Sequence, residues 1–420
     1  MSDVGRIGIL RPLRIRDFAL LWIGLAVSLT GDGIYLIAIA WQVLHMTNDP
    51  RALGLVGLAW ALPALPLLLF SGVLSDRVPR RHLMIAADVV RAIAIGAMGV
   101  LTISGVVQLW QLVALAAVYG AGDALFGPAN SAIVPDLVPV ELLVQANSLA
   151  QFVRPFAATL VGPMIGGALV ATLGAGWAFL ADAGTFAFSA VMILSMRARP
   201  AARGDEVLTS MWTDLLEGLR YVRSRTWLWA SMSAATVGLL CFWGPFDVLV
   251  PFIVKNDLKA SAFQLGLIFG AGGVGSVTAA ALMGQRGLPR RPLTAMYLTW
   301  VLGTALLAGF GLARSIWPMF IVSAACSACF TIVLVYWFTL VQRLVPSSLL
   351  GRVSSLDWLV STAGVPLSFA LVGPVAAAIG ARQTLILAGA AGAMVILAFA
   401  ILIPGTRDPE TDGSLVEPAG

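Results

Sequence analysis

The chain has 420 residues, of which 59% are hydrophobic and only 11% charged, and 26 Lys and Arg against 21 Asp and Glu leave a net charge of +5. A mean hydropathy of +0.92 excludes a water-soluble fold, because no soluble domain hides that much apolar surface. The basic balance, with a pI near 9.5, is assigned to membrane topology and contact with anionic inner-leaflet lipid, and nucleic acid is not an expected partner.

Apolar runs of helix-spanning length, each allowed a lone charge, fall at 18–45, 52–74, 82–104, 108–134, 142–171, 176–196, 227–254, 262–284, 292–313, 316–343, 350–379 and 382–404. An unpaired backbone group costs several kcal/mol in hydrocarbon, so these runs are predicted to be helices. Placing both termini in the cytoplasm puts nineteen Arg or Lys on the inner side and five on the outer, with Arg91 and Arg154 inside spans. That asymmetry satisfies the positive-inside rule. The apolar run of span one is too long for a cleavable signal peptide.

In chain order, span one carries Asp32 within the flexible stretch TGDG. The loop after span two, SGVLSDRVPRRHL at 71–83, concentrates Asp76, Arg77, Arg80, Arg81 and His82. Span three contains ADVVRA with Asp88 and Arg91 three residues apart on one helix face. Counting along the runs, Asp32 lies about fourteen residues into span one, Asp123 about fifteen into span four and Arg154 about twelve into span five. Ionisable groups at that depth are costly and mark functional positions by default. Asp32 is read as functional rather than as a buried, helix-bending carboxylate. Asp182 and Asp247 fall nearer the outer surface and are read as structural or vestibule charges.

The segment from 197 onward is cytoplasmic. Within it Met211, Leu215, Leu219 and Val222 recur at helical spacing beside Asp214, Glu217, Arg220 and Arg223, which predicts a short helix on the membrane surface. Beyond the linker the chain repeats itself. Pro79-Arg80-Arg81 is matched by Pro289-Arg290-Arg291, and DLVPVELLVQANSL at 136–149 aligns with RLVPSSLLGRVSSL at an offset of 207. Val161-Gly162-Pro163 and Val372-Gly373-Pro374 form a third pair. Six spans plus six, each half starting inside, is a parallel repeat, for which a ligand site near the midplane is expected. The expected organisation is an all-α membrane protein with twelve transmembrane helices in two pseudo-symmetric six-helix bundles. The first bundle is 1–196, the linker 197–226, the second bundle 227–404 and the cytoplasmic tail 405–420.

These residues resemble a family, the major facilitator superfamily of secondary transporters. GVLSDRVPRR at 72–81 resembles its loop signature Gly-x-Leu-x-Asp-Arg-x-x-Arg-Arg. FGPANSAIVPDLVP, LLVQANSL, ADVVRA and LLEGLRYVRSRTWL are similar to the enterobactin-exporter and macrolide-efflux branch. The resemblance covers nearly the whole chain. It implies a cytoplasmic latch of Gly72, Asp76, Arg77, Arg80, Arg81, Asp88, Arg91, Asp136 and Asp357. In that latch Asp76 is expected near Asp357 and Arg352, and Arg77 or Arg81 is expected to pair with Asp136. Since exposed pairs contribute little singly, such a latch requires several acting together. Gln285 replaces the acid in the second-half copy, which weakens it there.

LVGPMIGGAL at 160–169 resembles the Gly-Pro-x-x-Gly-Gly signature of the superfamily's antiporters, through Gly162, Pro163, Gly166 and Gly167. Ala158 stands where the full signature has a further glycine. The motif implies close helix packing with a bend, and export rather than uptake. Spans one and four line the central cavity in this superfamily, so Asp32 and Asp123 are expected to carry protons or attract a cationic substrate. Arg154 is expected either to keep one of them ionised or to neutralise it structurally. Asp123 occupies a position where the family commonly has a small residue, and is either a substrate-specific feature or a partner for Arg154. Trp243 and Trp337, on spans seven and ten, are the aromatic residues assigned to substrate stacking; most others are expected to face lipid.

Other chemistries are not expected. The two lysines have no Gly-Lys-Ser/Thr context, which removes a phosphate-binding loop. Cys326 and Cys329 are read as small packing residues, His45 and His82 fall on opposite faces, and Gly-x-Ser-x-Gly is absent. No enzymatic activity, cofactor or metal is expected. The expected partners are protons, a small-molecule substrate and the lipid bilayer, with the chain acting as a monomer. The reading is a proton antiporter exporting a drug, antibiotic or siderophore. The alternatives are an importer or uniporter of a nutrient, and a sensor or lipid flippase with the same fold. Arginine-rich, lysine-poor usage points to a high-GC bacterium and hence to its cell membrane.

Overall fold

The structure is a computed structural model that describes residues 8–67, 79–197, 211–286 and 288–411. Among the described residues there are helices and turns and no strand, as the hydrocarbon environment requires. Twelve helices are long and apolar enough to span a bilayer. In chain order they are Arg16–Met46, Pro50–Leu67, Arg80–Ile103, Leu109–Leu137, Gln145–Thr172, Ala175–Leu194, Thr226–Asn256, Ala262–Gln285, Pro292–Leu312, Ile316–Leu344, Leu349–Ile379 and Ala381–Leu402, and are called spans one to twelve.

Two spans are locally unwound where the sequence places proline. Span five widens into a π turn over Pro155–Val161 and span seven does so over Pro245–Leu249. Each proline removes a backbone donor, and the wider turn accommodates the loss inside the helix.

The chain forms two compact units, 1–203 with 254–273, and 204–253 with 274–420. In the first, Phe18, Leu21, Leu25, Met84, Phe126 and Leu149 belong to one buried cluster. The outer part of span eight joins this unit through glycine: a Cβ on Gly167 would lie only 3.0 Å from Gly266 Cα. The second unit has a more aromatic core that includes Trp227, Tyr297, Trp300, Tyr336 and Trp337.

The paired arginines after span two are used inside the first unit. Arg80 Nη1 donates to the Ala132 carbonyl at 2.7 Å and to Asp136 Oδ2 at 2.8 Å, both near the inner end of span four. Arg81 Nε donates to the Ile193 carbonyl at 3.0 Å and its Nη2 to the Leu194 carbonyl. Arg16 Nη2 adds a bond to the Ser195 carbonyl at 3.2 Å. Span six thus ends on two guanidinium groups, which satisfy its orphan carbonyls and oppose its negative dipole end. Among the described residues Arg80 makes the bond to Asp136, and Arg81, one of its two expected partners, is drawn instead to the end of span six. Gly72, Asp76 and Arg77 lie outside the described residues.

The linker helix, Met211–Ser224, packs on spans seven and eleven. Arg352 Nη1 donates to Glu217 Oε2 at 2.6 Å, Tyr221 donates to the Leu344 carbonyl at 3.3 Å, and Val222 is buried. The face bearing Gly218, Tyr221 and Val222 therefore meets protein. Leu216 and Leu219 stay exposed. In the tail, Glu410 accepts from the Thr294 amide at 2.7 Å and its hydroxyl at 2.6 Å. This supplies the start of span nine with the N-terminal cap that Arg291 does not give it.

Loss of the carbonyl contacts in Arg81→Ala is expected to destabilise the purified protein by about 1–2 kcal/mol. Arg291→Ala, at the exposed repeat-equivalent position, is expected to change it by less than about 0.5 kcal/mol. Thermal melts in detergent compare the two.

Candidate functional site

Four helix faces in the first unit bring ionisable groups to one place. Span one contributes Asp32 and Tyr35, span three Asp88 and Arg91, span four Tyr119, Asp123 and Phe126, and span six Asp182, Thr185, Phe186 and Ser189. Within each helix these positions are three or four residues apart, the spacing that stacks side chains along one face.

Arg91 is the centre of the arrangement. It is 2% exposed and forms a tight ion pair with Asp88 Oδ1, whose residue is 0% exposed. Its other terminal nitrogen is 3.7 Å from Asp123 Oδ1. The guanidinium carbon lies 4.4 Å from the ring centroids of both Phe126 and Phe186, so the cation is clasped between two aromatic rings. Asp123 differs in exposure: its side chain is 45% exposed while that of Asp88 is fully enclosed. Arg91 therefore pairs tightly with one fully enclosed carboxylate and stands close to a second that is partly exposed.

Asp32 is half-buried and accepts a 2.7 Å hydrogen bond from the Tyr119 hydroxyl. Tyr119 itself is buried, with its ring 4.6 Å from that of Tyr35 and 6.0 Å from that of Phe186. Just before Asp32, the Gly31 backbone lies directly on span six, where an added methyl group would overlap Asp182 Oδ1 and Thr185 Oγ1. Just after it, Gly33 crosses span five: its Cβ would lie 2.8 Å from Gly162 Cα and 2.7 Å from Pro163 Cδ. A Cβ on Gly166 would likewise fall 2.8 Å from Ile34 Cα. Of the glycines singled out in the sequence, Gly162 and Gly166 thus abut span one beside Asp32, and Gly167 abuts span eight.

Several expected placements change. Asp88 and Arg91 belong to this interior cluster rather than to a cytoplasmic latch, because half the length of span three separates Arg91 from Arg80. Arg154 lies at a comparable depth but is exposed, and among the described residues it makes no ion pair. Arg91 is the cation ion-paired to the acids here, while the charge of Arg154 is still felt at Asp32. Asp182 is completely enclosed rather than vestibular. In the second unit, Trp337 is 9% exposed and donates from Nε1 to Asp357 Oδ2 at 2.8 Å. Ser361 donates to the other oxygen of Asp357 at 3.0 Å, so both oxygens are held within their own bundle. Trp337 is thereby a packing and anchoring residue, edge-on to Trp227, whereas Trp243 is 37% exposed. Tyr119 was not singled out in the sequence, although its i, i+4, i+7 stripe with Asp123 and Phe126 is visible there.

A twelve-span helical protein with a cluster of charges enclosed in one bundle has the build of a membrane transporter. The chain belongs to the major facilitator family described as transmembrane secretion effectors, whose profile matches residues 7–417. It is 28% identical over 341 residues to the MFS-type transporter YfiS of Bacillus subtilis strain 168, covering 78% of this chain and 79% of that protein. It is also 28% identical over 387 residues to the enterobactin exporter EntS of Escherichia coli O139:H28, covering 90% and 88%. Among solved structures it resembles a mutant form of the nucleoside transporter NupG, with TM-score 0.69, 12% identity and coverage of 93% and 98%. A bacterial homologue of the iron transporter ferroportin, in the inward-facing state, matches with TM-score 0.67, 16% identity and coverage of 93% and 99%. At such identities the structural matches show the fold.

Arg91→Ala leaves Asp88 buried without its counter-ion and is expected to destabilise the protein by about 3–5 kcal/mol. Arg154→Ala is expected to stay within about 0.5 kcal/mol of the parent. Denaturation of the two purified variants under one condition tests whether the structural cation is Arg91.

Proposed function

We propose that this transporter exports a small amphipathic molecule in exchange for protons by alternating access, with Asp32 as a coupling residue. The observation that carries the reading is the setting of Asp32: a mid-span carboxylate, hydrogen-bonded to Tyr119, next to the Gly33–Gly162 crossing. A change of charge at Asp32 acts on the backbone contact that positions span five, which gives protonation a direct mechanical route into the bundle. Asp123, reachable and only loosely paired with Arg91, supplies the contact for the solute. The exporting direction draws on the Gly-Pro-x-x-Gly-Gly stretch and on the exporter among the 28% identical relatives. A drug, antibiotic or siderophore is the substrate class in view. Trp243 contributes apolar surface to it.

The same reading has the chain working as a monomer in the cell membrane, with both termini cytoplasmic as the distribution of Arg and Lys favours. The two bundles are taken as 1–196 and 227–404, joined by the linker. Arg80 and Asp136, with the residues around Asp76, form the inner-side charge network that biases one conformation over the other.

In reconstituted liposomes, an imposed pH gradient is expected to drive movement of an amphipathic test compound and a counterflow of protons. Asp32→Asn is expected to abolish the proton movement while the protein remains folded. Retained coupling in Asp32→Asn rejects its role, and accumulation of substrate in cells expressing the protein makes it an importer.

A further inference from the structure

Asp182 is the group that the proposed coupling does not use. It is 0% exposed, on span six, with its carboxyl against the Gly31 backbone, one residue from Asp32. Its hydrogen bonding is poor for an anion. Thr185 Oγ1 is 3.2 Å from Asp182 Oδ1 but only 2.7 Å from the Asp182 carbonyl oxygen. A threonine hydroxyl has one proton to donate, and the shorter contact takes it. Asp182 Oδ2 has no hydrogen-bond partner.

The surroundings supply no charge to compensate. Span one presents Asp32 and Tyr35, span three Asp88 and Arg91, span four Tyr119 and Asp123, and the adjoining part of span five, Gly162–Thr172, has no titratable residue. The hydroxyl of Tyr119 is directed to Asp32. Arg91, the one cation ion-paired within this group among the described residues, is held by Asp88, lies close to Asp123 and is sandwiched by two phenyl rings. Asp182 thus has no cation of its own, because Arg91 is held by Asp88 and lies beside Asp123, and Arg154 on span five acts on Asp32. A carboxylate buried without a partner or a hydrogen bond costs several kcal/mol, and the group takes up a proton instead. Two carboxyls on either side of one backbone segment also resist simultaneous ionisation.

We propose that Asp182 is a second proton site of the transporter, protonated in this structure and exchanging its proton during the cycle, so that the cluster carries more than the single proton of Asp32. Uptake forms an O–H bond at the carboxyl from a water-borne proton and converts a buried anion into a neutral acid; release returns the proton to water. The proposal rests on proton antiport at Asp32, and it adds a stoichiometry to that reading. Gly31 is what permits it, because any larger residue would displace the acid from span one.

Infrared difference spectra of the full chain in lipid, recorded through a pH titration, test it without any substrate. The wild type is expected to show the carbonyl stretch of a protonated carboxylic acid that disappears on alkalinisation and is missing in Asp182→Asn. Thr185→Val, which removes the neighbouring hydroxyl, is expected to shift the frequency of that band and keep it, so the assignment survives if the asparagine variant does not fold. Proton release on the same titration, followed with a pH indicator in weakly buffered vesicles, is expected to fall by about one proton per chain in Asp182→Asn. Absence of the band in the wild type, or a band from Asp182 that never responds to pH, overturns the proposal. Because none of these readings requires transport, the band persists if antiport fails at Asp32, and coupling at Asp32 persists if the band is missing.

Discussion

A guanidinium in the middle of a hydrocarbon-spanning bundle must be neutralised where it stands, and the interior of the first unit is organised around that requirement. Arg91 is neutralised by Asp88 one turn away on its own helix and flanked by Phe126 and Phe186 from two other helices. That fixes the rotation of spans three, four and six about their axes, because each must turn the residue that touches Arg91 inward. Once span four is so turned, Tyr119 and Asp123 face inward with Phe126, and Asp32 meets the Tyr119 hydroxyl. A buried pair adds little net stability by itself. Its effect here is specificity, since every other rotation of these helices strands a charge.

The second constraint is distance. Span one touches span six at Gly31 and span five at Gly33, with Asp32 between the two contacts. Backbones at this separation move together or not at all, because no side chain intervenes to take up strain. The glycines of the Gly-Pro-x-x-Gly-Gly stretch are therefore more than a flexible point in span five. They fix how that helix bears on span one beside Asp32, while the π turn over Pro155–Val161 lies immediately before them.

Much of this was legible in the sequence, and the remainder was hidden for a geometric reason. Run length and the cost of unpaired backbone in hydrocarbon set twelve helices, and the loop and span-five motifs led to the family. Counting residues along a helix also gives depth, because the rise is fixed at about 1.5 Å per residue, and Asp32 and Asp123 are at the depth expected. Depth says nothing about azimuth. Arg154 is exposed although its charge reaches Asp32, while Arg91, grouped with the loop charges by its motif, is buried between spans three, four and six. The same limit applies to the adjacent pair Arg80 and Arg81. Neighbours on a helix differ by about 100° in direction, so one reaches the end of span four and the other the end of span six. Which does which depends on packing that no linear pattern records.

The internal repeat sharpens the functional argument through what it does not preserve. The alignment that pairs the two halves sets Arg343 against Asp136, so a second-half copy of the Arg80–Asp136 bond would bring Arg290 to another cation. The carboxylate near the inner end of span eleven, Asp357, is tied to Trp337 and Ser361. Inside the second unit, Tyr297 shares a hydrogen bond with Ser231 and stands near Trp300, and Phe242 packs against Phe246 and Phe330. Its interior is thus largely aromatic, with the buried Asp357 and half-buried Asp247 as its acids, whereas the first unit gathers Asp32, Asp88, Asp123 and Asp182 around Arg91.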